Sequence, residues 1–178
     1  ITNVSNLVNN SGVVAADVTG VGTARYGLAA CGYGSDKAIF GYGNTSGSPK
    51  SLTNLVSNTG VVSTDVTGVG TARESLAAAS YGSSGQALFG YGHTGAATVS
   101  MTNLISNVGV VATDTTGVGT VKSGLAGTNY GGDKAIMGFG ETINEVNLIN
   151  NLGVVSADVT GVGTSRAQPA AAGYSITA

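Results

Sequence analysis

Aspartate and a basic residue recur together along this chain, on either side of a Thr-Gly-Val-Gly turn. In the first occurrence they are Asp17 and Arg25, eight residues apart within GVVAADVTGVGTAR. The equivalent pairs are Asp65 with Arg73, Asp114 with Lys122, and Asp158 with Arg166. A carboxylate on turn amides and a bidentate guanidinium would form a strong hydrogen-bonded ion pair. Functional residues rarely recur equally in every unit of a repeat scaffold, so we predict that these pairs are structural and brace each blade against its neighbour.

Other chemistry has little support in the residues present. A calcium loop is disfavoured, because calcium takes about six to eight oxygen ligands and DVTGVGT offers one carboxylate. The GVG of each turn lacks the third glycine of a dinucleotide-binding fingerprint. His93 is the only histidine, and Glu74, Glu141 and Glu145 lie outside the repeat. A catalytic triad or a glycosidase carboxylate pair therefore has no basis in the spacing. We predict no enzymatic activity, no metal and no cofactor.

Aromatic and polar residues at the ends of repeated strands are the candidates for ligand binding. Tyr42, Tyr91 and Phe139 occupy the same position in successive copies, each between two glycines. Such rings either stack on sugars or fill gaps between units, and filling is the commoner role. Asn44 and His93 begin connections that vary between copies: 44–53, 93–102 and the shorter 141–146. Variable loops on a constant scaffold are where recognition usually takes place.

The repeat itself predicts the architecture. The four aspartates lie 48, 49 and 44 residues apart, and a period of roughly 20–50 residues is typical of solenoids and propellers. Each period contains four short apolar segments bounded by turn formers, typical of strands. In the first copy they are NLVNN, GVVAAD, LAACGYG and KAIFGYG. We predict an all-β fold, a β-propeller with blades of four short antiparallel strands.

The same segments predict one repeat domain over 1–178, with repeats of approximately 1–52, 53–101, 102–145 and 146–178. Counting from the third segment onward gives three complete quartets, with unpaired strands at both ends. If those ends pair, they close a ring of about four blades and leave no long exposed sheet edge. If they do not, the chain is an arc of a larger ring.

Composition narrows the class of partner. Charged residues make up 9% of the chain and the net charge is −2, so no electrostatic footprint for nucleic acid or an anionic membrane is present. Cys31 is the only cysteine, which excludes an intrachain disulfide. No apolar run approaches the ~18 residues of a transmembrane helix. The start at Ile1 rather than Met predicts a processed product or a fragment.

At GTAR, LAAA and KAIFGYG the chain resembles the kelch-type β-propeller repeat. In that family an arginine follows a small-residue turn, and a hydrophobic strand ends in paired glycines. Here the arginine position is held by Arg25, Arg73, Lys122 and Arg166. The chain departs from the pattern in two ways: an aromatic residue separates the glycines, and the family's tryptophan is missing.

The stretches DTTGVGT, YGGDKAI and KAIFGYG are also similar to repeats in tail-fibre and other virion-associated proteins of bacteriophages. This resemblance implies a virion appendage that contacts a bacterial surface. We therefore expect a non-enzymatic structural or adhesive module, oligomeric, in the virion or outside the cell. Its partners would be other appendage subunits or host-surface glycans. The alternative is a secreted, carbohydrate-binding lectin-like propeller with one pocket per blade around Tyr42, Tyr91 and Phe139.

Overall fold

The computed structural model describes residues 1–173. In this part the regular structure is β throughout, with no helix, which confirms the predicted all-β class. The strands are β1 (Ala29–Tyr33), β2 (Lys37–Gly41), β3 (Asn44–Thr45), β4 (Ser48–Pro49), β5 (Thr53–Val56), β6 (Ala77–Tyr81), β7 (Gln86–Gly90), β8 (Thr102–Ile105), β9 (Ala126–Tyr130), β10 (Lys134–Gly138) and β11 (Val146–Ile149). No helix in residues 1–173 is long and apolar enough to cross a membrane.

The larger sheets combine two neighbouring sequence repeats. The third and fourth segments of one copy form a hairpin, as in β1 and β2, where Ala29 faces Gly41. The first segment of the next copy then adds antiparallel to the hairpin, giving the strand orders β1-β2-β5, β6-β7-β8 and β9-β10-β11. The second segment continues each sheet through isolated bridges such as Thr53 to Val66. The three quartets counted from the third segment onward are therefore the three structural units, which we call the first (28–66), second (76–115) and third (125–159) unit.

The chain outside these units has two parts. The N-terminal hairpin (5–18) joins a first and a second segment through bridges from Ser5 to Val18 and from Val8 to Val14. The C-terminal segment (164–173) follows the last Thr-Gly-Val-Gly turn. Within residues 1–173, no backbone hydrogen bond joins the N-terminal hairpin to the C-terminal segment.

Units pack face to face, because strand alternation gives every sheet two apolar faces. One face of the first unit, which carries Ala29 and Ile39, packs against the second unit, and we call it the forward face. It contacts Ala78 and Phe89 on the opposite kind of face, which we call the rear face. The second interface is built in the same way, from Leu88 and Ala79 against Met137 and Ala135. Small side chains let the sheets approach closely. A Cβ on Gly41 would overlap the Phe89 ring, so this position requires glycine.

Each fourth segment ends in a strained backbone conformation. Tyr42, Tyr91 and Phe139 have φ values of 63°, 63° and 62°. The left-handed region is unfavourable for a bulky side chain, by about 1–3 kcal/mol. Its recurrence in all three copies shows that the surrounding structure imposes it. The contacts that hold these rings in place, described below, explain why this conformation is kept.

Candidate functional site

Four residues close each structural unit in an arrangement that we call the clasp. In the second unit they are Thr71 and Arg73 on the loop that enters the sheet, and Asn103 and Asp114 on its two outer strands. The Asp114 carboxylate accepts from the Thr71 backbone N–H at 3.0 Å and from its hydroxyl at 2.7 Å. It also accepts from the Asn103 amide at 2.9 Å and pairs with the Arg73 guanidinium at 3.4 Å. Arg73 in turn donates to the Asn103 side-chain oxygen at 2.6 Å.

The third unit repeats the clasp with lysine in place of arginine. Asp158 accepts from the Thr120 N–H at 2.8 Å and pairs with the Lys122 ammonium at 3.0 Å. Lys122 also donates to the Asn147 side-chain oxygen at 2.7 Å. A single ammonium thus reaches both outer strands, as the forked guanidinium does in the second unit.

The clasp of the first unit keeps the bonds of its aspartate to threonine and asparagine, but its arginine donates to Leu52 and Asn54 rather than to the aspartate. Asp65 again accepts from Thr23, with its hydroxyl at 2.6 Å, and from the Asn54 amide at 2.9 Å. Arg25 donates to the Leu52 carbonyl oxygen at 2.7 Å and to the Asn54 side chain.

The ion pairs do not follow the eight-residue spacing. The prediction joined Asp17 to Arg25, Asp65 to Arg73, Asp114 to Lys122, and Asp158 to Arg166. In the structure Arg73 pairs with Asp114, and Lys122 with Asp158, each of the following copy. The within-copy pairing was wrong because each sheet takes its inner strands from one copy and its outer strands from the next. The basic residue precedes the inner strands, so it meets the aspartate of the next copy.

The repeated tyrosines join one unit to the next. The Tyr42 ring is fully buried, lies 4.7 Å below the Arg73 guanidinium and donates its hydroxyl to the Val69 carbonyl oxygen at 3.0 Å. Tyr91 is buried in the same way, under Lys122 at 5.0 Å and bonded to Val118 at 3.1 Å. Cation–π contacts of this kind are strongest when they are desolvated. Neither ring presents a face to a ligand, so the binding role considered for these two tyrosines is incompatible with the structure.

The other predicted binding residues differ in burial and in their hydrogen-bond partners. Asn44 is buried, and its amide donates to Glu74 at 2.9 Å. It is therefore also unavailable as a direct ligand contact. His93 is half-buried, and its Nδ1 accepts from the Gly95 N–H at 3.0 Å. Phe139 is half-buried under the Arg166 guanidinium at 4.0 Å.

The asparagine and the threonine of the clasp were not predicted to bind the aspartate. The asparagine lies 11 residues before the aspartate in every copy, as Asn54 does before Asp65. The threonine ends each Gly-Val-Gly turn. Both signals were visible as invariant spacings, but their meaning depends on which strands are neighbours.

Hydrogen bonds control the charge state of the clasp aspartates. Partial burial alone would raise the pKa of Asp158, but hydrogen bonds from Thr120, Lys122 and Asn147 outweigh it and hold this pKa well below its usual range. The pKa values of Asp65 and Asp114 are lowered by the corresponding bonds, again against the effect of burial. Burial lowers the pKa of the Arg25 guanidinium, although the charge of Asp65 acts in the opposite direction. The clasp aspartates are therefore ionised at neutral pH.

These shifts predict an acid-sensitive fold. A carboxyl with a lowered folded-state pKa stabilises the protein above its unfolded pKa, and this stabilisation is lost as the pH falls through the folded pKa. We expect the free energy of unfolding to be constant above about pH 5 and to decrease below about pH 4. Urea titrations at a series of pH values would measure it, and Asp158→Asn should flatten the dependence. A free energy that does not fall on acidification would contradict the role of the clasps.

No protein-family model and no curated protein sequence matches this chain. In residues 1–173, no group of three or more His, Cys, Asp or Glu side chains is placed to hold a metal ion. The Asp-Thr-Asn-cation arrangement binds its charged groups mainly to one another, although the buried Nε of Arg25 and that of Arg73 have no hydrogen-bond partner in residues 1–173. What it can do chemically is hold the loop that enters a sheet against the outer strands of that sheet.

Proposed function

We propose that this protein is a non-enzymatic structural and adhesive module, built as a kelch-like β-propeller or an arc of one, in a bacteriophage tail fibre or other virion appendage. One observation carries the proposal. The repeated charged and aromatic groups of the units are consumed in internal contacts, as Arg73, Lys122, Tyr42 and Tyr91 show by their burial. Their internal contacts therefore explain why these residues recur in every copy, and a catalytic or ligand-binding role is not needed to explain it. The segments left to meet a partner are those that differ between copies.

The variable loops lie side by side. In the loop 44–53, strands β3 and β4 form a small hairpin of their own. A Cβ on Gly95 in the next loop would lie 3.3 Å from Pro49 of the first, so the two loops are in contact. Thr98 and Glu141 line one depression together, which brings the third loop to the same rim. Three different loops on one rim provide a composite surface, and several modest contacts there are multiplied when copies are displayed together.

The lectin alternative loses its predicted sites. It required an open aromatic ring in each unit, and the rings of Tyr42 and Tyr91 are fully buried. A host-surface glycan remains a suitable partner for the loop rim, where Thr98 and Thr142 line the same depression.

Exchange of loops tests the proposal. We suggest a variant in which 93–98 and 44–49 are transposed, so that composition and loop length are kept. Binding would be measured on an array of bacterial surface polysaccharides. A matched control replaces Asn58 and Thr59 in the hairpin turn between the first and second segments.

We expect binding of the wild-type chain to a small set of polysaccharides, loss of that binding in the transposed variant, and no change in the control. Binding that survives transposition, or saturates at several equal sites per chain, would contradict the loop rim and favour a pocket repeated in each unit. Hydrolysis of an arrayed polysaccharide would contradict the non-enzymatic assignment.

A further inference from the structure

The two ends of the stack expose faces that are covered inside it. On the rear face of the first unit, Leu28 is 37% exposed, whereas its equivalents Leu76 and Leu125 are 5% and 7% exposed. Phe40 is half-exposed on the same face, and its equivalents Phe89 and Met137 are fully buried. A groove of about 230 Å³ lies there, between the sheet and residues 2–5 at the start of the chain.

The third unit also has an uncovered apolar face, but here it is the forward face. Ile136 is half-exposed, whereas its equivalents Ile39 and Leu88 are fully buried. A groove of about 210 Å³ lies between this face and the C-terminal segment. The two uncovered faces are of opposite type, and the contacts between the first, second and third units show that such faces fit one another.

The two ends also carry the two halves of a clasp. In the N-terminal hairpin, Asn6 donates to Asp17 at 2.9 Å, as Asn54 does to Asp65. Both Asn6 and Asp17 are exposed, and within residues 1–173 Asp17 has neither the threonine nor the cation of the other clasps. The C-terminal segment holds the missing half, Thr164 and Arg166, which are exposed as well.

A backbone ladder between units points to the same match. Ser75 N–H donates to the Gly27 carbonyl oxygen at 2.8 Å, Gly124 N–H to Ser75 at 2.9 Å, and Gln168 N–H to Gly124 at 2.8 Å. The ladder therefore ends with the Gly27 N–H on one side and the Gln168 carbonyl oxygen on the other. A donor and an acceptor at opposite ends are what a further unit of the same kind would join.

We propose that copies of this chain associate head to tail, with the C-terminal segment of one copy and the N-terminal hairpin of the next forming a shared unit. Arg166 and Thr164 of one copy bind Asp17 and Asn6 of the next, and the uncovered apolar faces close on the shared unit. The contact is heterologous, so it yields either a ring or a filament. This proposal concerns assembly and holds whether or not the loop rim binds a glycan.

Charge reversal at one end at a time tests this directional contact. Asp17→Arg disables the head of a copy and leaves its tail, whereas Arg166→Asp disables the tail and leaves the head. Sedimentation velocity from about 1 to 200 µM covers the dissociation constants expected of a small interface. We expect the wild-type chain to form either a closed ring or open species larger than a dimer. Each variant alone should be monomeric. An equimolar mixture should recover association, because the intact tail of the first variant meets the intact head of the second, and the two reversed charges also attract each other at the alternate junction.

The control is Asp36→Arg, the same charge change in an exposed turn of the first unit, which should assemble as the wild-type chain does. Thermal unfolding followed by circular dichroism identifies a variant that fails to fold. Three results would overturn the proposal: a wild-type chain that is monomeric throughout, variants that assemble like the wild type, or folded variants that stay monomeric when mixed. The first of these would indicate that the two ends close within one chain.

Discussion

Substitution Asp114→Ala is expected to lower the free energy of unfolding by about 1.5–3 kcal/mol, the range for hydrogen bonds to charged groups, because the Asp114 side chain is 30% exposed and water can partly replace it. The Arg73 guanidinium is fully buried, and Asp114 is the carboxylate that compensates its charge. The substitution also leaves the Thr71 N–H and one Asn103 amide hydrogen without their acceptor. Urea unfolding at pH 7 would measure the loss.

The N-terminal hairpin supplies a matched control for this substitution. Asp17 accepts from Asn6 as Asp114 does from Asn103, but in residues 1–173 no buried cation faces it. Asp17→Ala should therefore change the free energy of unfolding by no more than about 1 kcal/mol, measured at a concentration where the chain is monomeric. Equal losses in the two variants would show that the buried cation is not what makes the clasp stabilising.

Substitution Phe89→Ala is expected to lower the free energy of unfolding by about 3–5 kcal/mol, as large-to-small changes of buried aromatic residues do. The ring is fully buried between the first and second units and meets the Tyr42 ring edge-on, with centroids 5.1 Å apart. Its removal leaves a cavity that the backbone at Gly41 cannot fill, because that glycine has no side chain. Chemical unfolding would measure the loss.

The equivalent residue at the end of the stack is the control. Phe40 lies on the uncovered rear face of the first unit and is half-exposed. Phe40→Ala should cost about 1 kcal/mol, the ordinary value for a substitution outside a tight core. A loss as large as that of Phe89→Ala would mean that the rear face is covered in solution. That outcome, if it depended on protein concentration, would agree with head-to-tail association.

The clasps stabilise individual units, whereas the repeated tyrosines stabilise the contacts between neighbouring units. Side chains of the clasp act within one unit, between its entering loop and its outer strands. The tyrosine at the end of the previous unit then lies under the same cation, and the backbone next to it also bonds across. Gly43 N–H donates to the Arg73 carbonyl oxygen at 2.9 Å, and Gly92 N–H to Lys122 at 2.8 Å. Each basic residue therefore belongs to both a unit and the joint before it, which explains its recurrence in every copy.

Local pattern was sufficient for the strands and their grouping. Runs such as KAIFGYG are strand-length, rich in β-branched and aromatic residues and bounded by turn formers, so their conformation follows from short-range chemistry. Turn formers such as Asn58, Thr59 and Gly60 separate the predicted strands, and in the structure the Gly60 N–H donates to the Ser57 carbonyl oxygen at 3.0 Å. The order from the third segment through the next second segment also followed from counting the copies.

Partner choice across the repeats could not be read from spacing. Asp114 lies eight residues before Lys122 and 41 after Arg73, and chain distance favours the nearer cation. The fold favours the other, because the outer strands of one copy add to the inner hairpin of the previous copy. The burial of Tyr42 has the same origin. A tyrosine between two glycines can stack on a sugar or fill a gap between units, filling being the commoner role, and the face of the next unit decides in favour of filling.

The amino-acid sequence by itself determined that this chain forms short antiparallel strands in a repeating order, because strand propensity and turn chemistry act over a few residues. Only the tertiary structure decided which aspartate meets which cation, which rings are buried and which faces are left uncovered at the ends. Those outcomes depend on contacts between residues some 40 positions apart, and these contacts exist only once neighbouring sheets have packed.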